Sequence, residues 1–286
     1  MNQTTIEFRH GTAPWYEFPA AQTARLNAHF APANGIPAAS YGEFLHGLKN
    51  VIHCTAMDPL SAWTAPPDRA VSWSEHAQIL STAIHSQYGA PIVGIGHSFG
   101  ATCTLLAACE QPELFSRLVL IEPASTPNFG SYITVRASPM WVKRKMFPFI
   151  NGSYHRRRIW ASREQFYEYY RGHPTFSRFT DRALRDYAKF GLTERPDGQL
   201  ELLIHPHWEA NIFSNVGFIW SALRRLEVPT LLLKAEHTYL YTQDYFDRQS
   251  AKLGSHIEAR TVADAGHLMT HEIPKRLSQI IEHWLR

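Results

Sequence analysis

The pentapeptide Gly96-His97-Ser98-Phe99-Gly100 constrains this chain more than any other stretch, because of what stands on either side of it. The apolar run Ala90-Pro91-Ile92-Val93-Gly94-Ile95 before it suits a buried strand. The small residues Ala101-Thr102-Cys103-Thr104-Leu105-Leu106-Ala107-Ala108 after it suit a helix pressed closely onto a sheet. A Gly-x-Ser-x-Gly turn between strand and helix bends the backbone so sharply that its flanking positions favour glycine, and the serine hydroxyl stands out from the sheet. Ser98 is therefore a candidate nucleophile. A serine hydroxyl is too weakly acidic to attack a carbonyl unaided, so the chemistry also needs a histidine base, a carboxylate to orient that base, and N–H donors for the oxyanion.

The remaining elements alternate. Ile6–Arg9 and Arg25–Phe30 alternate weakly, as edge or near-edge strands do, and a helix is expected from Ser40 toward Leu48. Asn50–Ala56 predicts a further strand, Trp73–Ile84 an amphipathic helix, and Arg117–Ile121 a buried strand that stops at Glu122-Pro123. The pattern then changes: residues 124–226 carry bulky aromatics and arginines in helical spacing, broken by Gly172, Pro174, Gly191 and Pro196. Val228–Ala235 returns to a buried strand, Tyr241–Leu253 reads as a helix, His256–Val262 as the last strand and Ile273–Trp284 as a closing helix. Strand alternating with helix implies a mostly parallel sheet covered on both faces. The expected organisation is an α/β core from residues 1–123 and 227–286, with 124–226 as a helical insertion over the sheet.

With 286 residues, 44% apolar and 19% charged, the chain is long enough for that one large domain and its insertion. Cys54, Cys103 and Cys109 show no C-x-x-C spacing and read as reduced thiols. No run is long enough to cross a bilayer, and the first residues lack the pattern of a secretory signal, so a cytoplasmic protein is expected. The net charge of +3 is gathered in Lys143-Arg144-Lys145 and Arg156-Arg157-Arg158, without the interleaved aromatics of a nucleic-acid groove. Those clusters read as solvated helix faces, or as surfaces for a carboxylate, phosphate or anionic partner. His205-Pro206-His207 has no third ligand at fixed spacing, and serine acyl transfer needs neither metal nor cofactor.

Taken together, the elbow, the order of elements and the segment Ala263-Asp264-Ala265-Gly266-His267-Leu268 resemble the α/β-hydrolase superfamily in its cap-bearing branch, over essentially the whole length. The resemblance implies His267 as the base, in the small-Gly-His pattern after the last strand. It implies an oxyanion hole from the backbone N–H groups of Phe99 and Ile36, the latter in the turn Asn34-Gly35-Ile36-Pro37, where relatives commonly carry His-Gly. Most relatives place the acid in a Gly-x-x-Asp turn. Here that stretch is Ala235-Glu236-His237-Thr238, so threonine holds the usual aspartate position. Glu122, at the end of the strand before the insertion, is the leading acid, since a carboxylate there emerges at the carboxyl edge of the sheet. Glu236 is the runner-up and Asp244 a distant third.

These residues imply a serine hydrolase, a carboxylic ester hydrolase acting on a small to medium apolar molecule. The expected partner is a small-molecule substrate, with no nucleic acid, and the expected state is a monomer or homodimer. Two readings stay beside it: a ligand-binding protein that kept the fold, and a C–C hydrolase or thioesterase of a biosynthetic or catabolic pathway.

Overall fold

The computed structural model describes residues 1–286. The first half of the core consists of β1 (Asn2–Phe8), β2 (Gly11–Glu17), β3 (Leu26–Ala31), α1 (Gly42–His46), β4 (Ile52–Met57), α2 (Trp73–Gln87), β5 (Ile92–His97), α3 (Phe99–Glu110) and β6 (Phe115–Ile121). The next segment holds α4 (Phe129–Ala137), α5 (Met140–Met146), α6 (Pro148–Tyr154), β7 (Ile159–Trp160), α7 (Arg163–Arg171), α8 (Asp181–Phe190), β8 (Leu192–Glu194), β9 (Leu200–Leu202), α9 (Pro206–Phe213) and α10 (Trp220–Leu223). The core then resumes with β10 (Thr230–His237), α11 (Gln243–Ser250), β11 (Ile257–Gly266), α12 (Met269–Glu272) and α13 (Pro274–Leu285).

Eight strands form one sheet in the order β1-β2-β4-β3-β5-β6-β10-β11. From β4 to β11 every pairing is parallel, while β1 and β2 add an antiparallel hairpin at one edge. Helix α2 begins where Ser72 and Glu75 exchange side-chain and backbone hydrogen bonds, a reciprocal cap that satisfies two otherwise orphaned donors.

Three sequence expectations change here. The Arg25–Phe30 segment, read as an edge or near-edge strand, is β3 in the interior of the sheet, hydrogen-bonded to β4 and β5. Its misleading polar residue, His29, is buried: Nδ1 meets Thr55 Oγ1 at 2.9 Å and the ring stacks on Trp15 at 4.7 Å. The Ile6–Arg9 signal does fall on an edge strand, but it covers only the last residues of β1 and the turn after it, and the hairpin partner β2 left no readable alternation. Finally, the segment read as helical also contains a three-stranded antiparallel sheet, β7-β9-β8, whose strands of two or three residues are too short to show a period.

The segment between β6 and β10 is packed onto the sheet rather than tethered beside it. One hydrophobic cluster of 41 buried residues runs from Phe30, Val93 and Leu231 of the sheet into Trp160, Phe166, Tyr187 and Leu202 of that segment. A second cluster joins α2 and α3 to Trp208 and Trp220. Most of the aromatics that helical spacing picked out are therefore core.

Candidate active site

The Gly96–Gly100 turn requires its two glycines for a steric reason. A Cβ on Gly96 would lie 2.5 Å from Ala101 Cα, and one on Gly100 would lie 2.1 Å from the Ala31 carbonyl oxygen. Helix α3 thus starts in direct backbone contact with the end of β3. Ser98, between them, is held at φ 55° and ψ −117°, a conformation that L-residues avoid and that the surrounding bonds enforce. Its N–H donates to the Ile121 carbonyl at 2.9 Å, and its own carbonyl accepts from Ala124 at 3.2 Å. Both contacts staple the elbow to the end of β6.

The Ser98 side chain meets His267, which follows β11 directly: Oγ lies 3.0 Å from Nε2. The other ring nitrogen, Nδ1, lies 3.1 Å from Glu122 Oε2. A carboxylate can only accept, so Nδ1 carries the proton and Nε2 is left to accept from the serine hydroxyl. Glu122 is fully buried at the end of β6 with φ 47°. An isolated carboxylate in such a place is costly. Here it receives three donors: His267 Nδ1–H, the Thr238 hydroxyl at 2.7 Å and the Ala235 backbone N–H. Thr238, at the position where the resemblance expects an aspartate, instead donates its hydroxyl to the Glu122 carboxylate.

The other two carboxylates fall elsewhere. Glu236 is exposed and accepts the Asp264 N–H at 2.8 Å. Asp244 lies exposed in the first turn of α11.

His97 precedes the serine and is completely buried, which pushes its pKa well below the ordinary imidazole value and keeps it neutral; the neighbouring His267 adds to the shift. Its Nε2 lies 2.9 Å from the His267 carbonyl oxygen, an acceptor only, so Nε2 donates. Nδ1 then accepts from the Tyr41 hydroxyl at 3.0 Å, and Tyr41 in turn accepts the Ala33 N–H at 3.0 Å. One hydrogen-bonded line therefore runs from the turn after β3, through the elbow, to the backbone of His267. Sequence reasoning missed this role of His97. Its signal was a strongly polar residue between a buried strand and the candidate nucleophile.

Of the two expected oxyanion donors, Phe99 opens α3, where first-turn N–H groups have no partner inside the helix. The Ile36 N–H is turned toward the Ala33 carbonyl at 3.4 Å. The turn that carries it is gripped from outside. Tyr187 donates to the Gly35 carbonyl at 3.0 Å, and Asn34 Nδ2 donates to the Glu209 carbonyl at 3.0 Å. Behind that grip lies a nearly buried ion pair, Arg156 to Glu209 at 2.7 Å, with Arg156 also donating to the hydroxyls of Tyr170 and Tyr187. His205 caps α9 by accepting the His207 N–H through Nδ1 at 3.1 Å. The three cysteines are unpaired.

Comparison with known proteins agrees with this architecture. The chain is 33% identical over 100 residues to a type I acyl-CoA thioesterase, mpaH, of Penicillium brevicompactum, covering 33% of this chain and 21% of that one. The chain spans only 15 to 21% of the length of the curated relatives it matches. Among solved structures, E-2-(acetamidomethylene)succinate hydrolase superposes with a TM-score of 0.79 at 17% identity, over 99% of this chain and 98% of that one. The thioesterase domain from the curacin biosynthetic pathway superposes with a TM-score of 0.77 at 12% identity, over 98% and 99%. At those identities the likeness is one of fold. The family model described as "Alpha/beta hydrolase family" matches residues 10–280, and the chain belongs to that family.

Proposed function

We propose that the protein hydrolyses a carboxylic ester or related acyl bond of a small to medium apolar molecule through an acyl-enzyme on Ser98. The observation that carries this reading is the unbroken line Ser98 Oγ to His267 Nε2 at 3.0 Å and His267 Nδ1 to Glu122 Oε2 at 3.1 Å. His267 takes the proton as Ser98 Oγ attacks the carbonyl carbon, and Glu122 stabilises the imidazolium that forms. The tetrahedral oxyanion is held by the Phe99 N–H, joined by that of Ile36 once it leaves its long bond to Ala33. His267 returns the proton to the leaving group, then draws one from a water that cleaves the acyl-serine. Residues 124–226 act as the cap that covers this site and shapes its acyl pocket. The chemistry needs no group beyond these side chains and backbone amides, and the unpaired thiols fit a cytoplasmic setting.

A thioester substrate is the second reading, favoured by the 33% identity over 100 residues with an acyl-CoA thioesterase. One experiment addresses both. The purified protein is labelled with a fluorophosphonate, with Ser98→Ala as control, and then assayed against p-nitrophenyl esters and acyl-CoA thioesters of increasing chain length. Labelling that requires Ser98, with turnover peaking at one acyl length, is the expected result. Absence of labelling in folded protein sinks the hydrolase reading in favour of a ligand-binding member of the fold, and turnover of thioesters alone moves the assignment to a thioesterase.

A further inference from the structure

Between Glu122 and Glu164 the chain carries eight Lys and Arg residues and not one Asp or Glu. The same stretch holds six of the nine large apolar side chains that stand exposed on the molecule: Phe129, Ile133, Met140, Trp141, Met146 and Phe149. Soluble domains ordinarily scatter such residues singly. Here they are gathered on the consecutive helices α4, α5 and α6. On α4, Phe129, Ile133 and Arg136 recur at i, i+4 and i+7 and are all exposed, while Val135 points inward. On α5, Trp141 is 71% exposed, stands one turn from Lys145, and lines an open surface groove with Arg144 and Pro148.

The inner side of the same helices is anchored. Val135 and Ile150 are buried, and Lys143 reaches inward to donate to the Ser214 carbonyl at 2.8 Å. The outward charges are not neutralised. Glu209 and Glu201 pair with Arg156 and Arg158, whereas Arg136, Arg144 and Lys145 meet no carboxylate, and Arg144 lies over the Tyr154 ring at 3.8 Å.

We infer that the outer face of α4–α6 docks on the surface of an anionic lipid bilayer. Large apolar side chains beside Lys and Arg suit the boundary between headgroups and acyl chains, where the rings and aliphatic groups sink in and the cations pair with lipid phosphates. Charge decides against a second copy of this chain as the occupant. A twofold contact would lay this face on its own image and bring the uncompensated cations together. Docking also bears on the proposed function. Phe129 is seven residues beyond Glu122, so the chain itself holds the site within about 25 Å of that face, close to substrate dissolved in the lipid. That last step rests on the hydrolase reading; the docking does not.

The test is sedimentation of the full chain with vesicles of phosphatidylcholine alone and of phosphatidylcholine mixed with phosphatidylglycerol. The proteins compared are wild type, Trp141→Ala/Phe149→Ala and Arg144→Glu/Lys145→Glu. The wild type should sediment with the mixed vesicles and release in high salt. Arg144→Glu/Lys145→Glu should partition roughly 25-fold or more weakly, since each basic group at an anionic surface contributes about fivefold. Trp141→Ala/Phe149→Ala should partition roughly tenfold or more weakly, since two large rings are lost from the lipid boundary. Each should keep the wild-type thermal midpoint and hydrolysis of a soluble p-nitrophenyl ester. Failure of the wild type to bind mixed vesicles, or binding untouched by both double variants, overturns the inference. So does a wild-type dimer that dissociates in Trp141→Ala/Phe149→Ala, or capture of an acidic protein without any vesicle binding. Vesicle binding with no ester hydrolysis leaves the docking standing and removes the hydrolase reading.

Discussion

In the proposed mechanism Glu122 and Thr238 divide a task that the resemblance assigns to one aspartate: the glutamate supplies the charge and the threonine hydroxyl donates to it. Replacing Glu122 by Gln keeps the shape but offers Nδ1 of His267 an N–H, which selects the wrong imidazole tautomer. Turnover of a p-nitrophenyl ester by Glu122→Gln should fall on the order of 10³–10⁴-fold with the circular dichroism spectrum unchanged. Thr238→Val removes one charge-assisted hydrogen bond and should lower kcat roughly tenfold. Glu236→Gln, altering a carboxylate bonded only to the Asp264 amide, should match wild type; a collapse of activity there, with Glu122→Gln unaffected, would reverse the assignment. At this scale Glu122 was legible because a charge ending a buried strand needs partners. Its partners were not, because Ala235 and Thr238 lie more than a hundred residues away in sequence and meet it only through the β6–β10 pairing.

At the scale of elements, α8 and α9 hold the turn after β3 through Tyr187 and the Glu209 carbonyl, and one nearly buried ion pair, Arg156 to Glu209, backs that hold. Glu209 accepts from Arg156 and from the Ser153 hydroxyl at 3.1 Å, and a Cβ on Gly35, already at φ 78°, would stand 3.1 Å from the Glu209 carboxyl carbon. Removing one partner strands the other charge. Glu209→Leu should therefore destabilise the fold by about 3–5 kcal/mol in urea unfolding, and Arg156→Met/Glu209→Leu should recover much of that loss. Additive losses in the two single variants, with no recovery in the double, would refute the pairing. Helical periodicity had marked Tyr170 and Tyr187 as aromatics of the insertion, and they are indeed buried. That they serve as acceptors for Arg156, and that Tyr187 also reaches Gly35, depends on the crossing of α7 and α8 over the sheet, which spacing within one helix does not encode.

The whole molecule has a pH dependence of its own, because several buried titratable side chains lie outside the proposed catalytic step. Burial lowers His29 and His271 to about 3 and His76 to about 4, and His97 well below its ordinary value. These groups stay neutral in the folded state, while the unfolded chain takes up protons below pH ~6.5. Their contribution is fully present above that pH and is lost as pH falls toward the folded values. At pH ~4.5 the loss is on the order of 2–3 kcal/mol per histidine, together comparable to the stability of a typical domain. Urea midpoints should accordingly drop steeply between pH 6.5 and 4.5; a flat profile would contradict it.

Asp58 acts with the opposite sign. Burial raises it to about 6 although it accepts from the Ala38 N–H and the Tyr16 hydroxyl. The folded state thus holds a proton that the unfolded state has released, and stability falls as pH rises from about 4 to 6. Relative to wild type, Asp58→Asn should gain on the order of 3 kcal/mol across that window, read as the difference between the two urea profiles.

By itself the sequence determined the family, the strand–turn–helix elbow, the place of His267 just after the last strand and the alternation of strand and helix. Each of these is written in neighbouring residues: glycines forced by a tight turn, periodicity imposed by one buried face, and a Gly-His pair after the last strand. Only the tertiary structure decided which carboxylate reaches His267, that β3 lies inside the sheet, and that His97 ties the turn after β3 to the backbone of His267. Those outcomes rest on partners brought together from distant parts of the chain, where burial leaves a polar group no water and so makes each remaining hydrogen bond decisive.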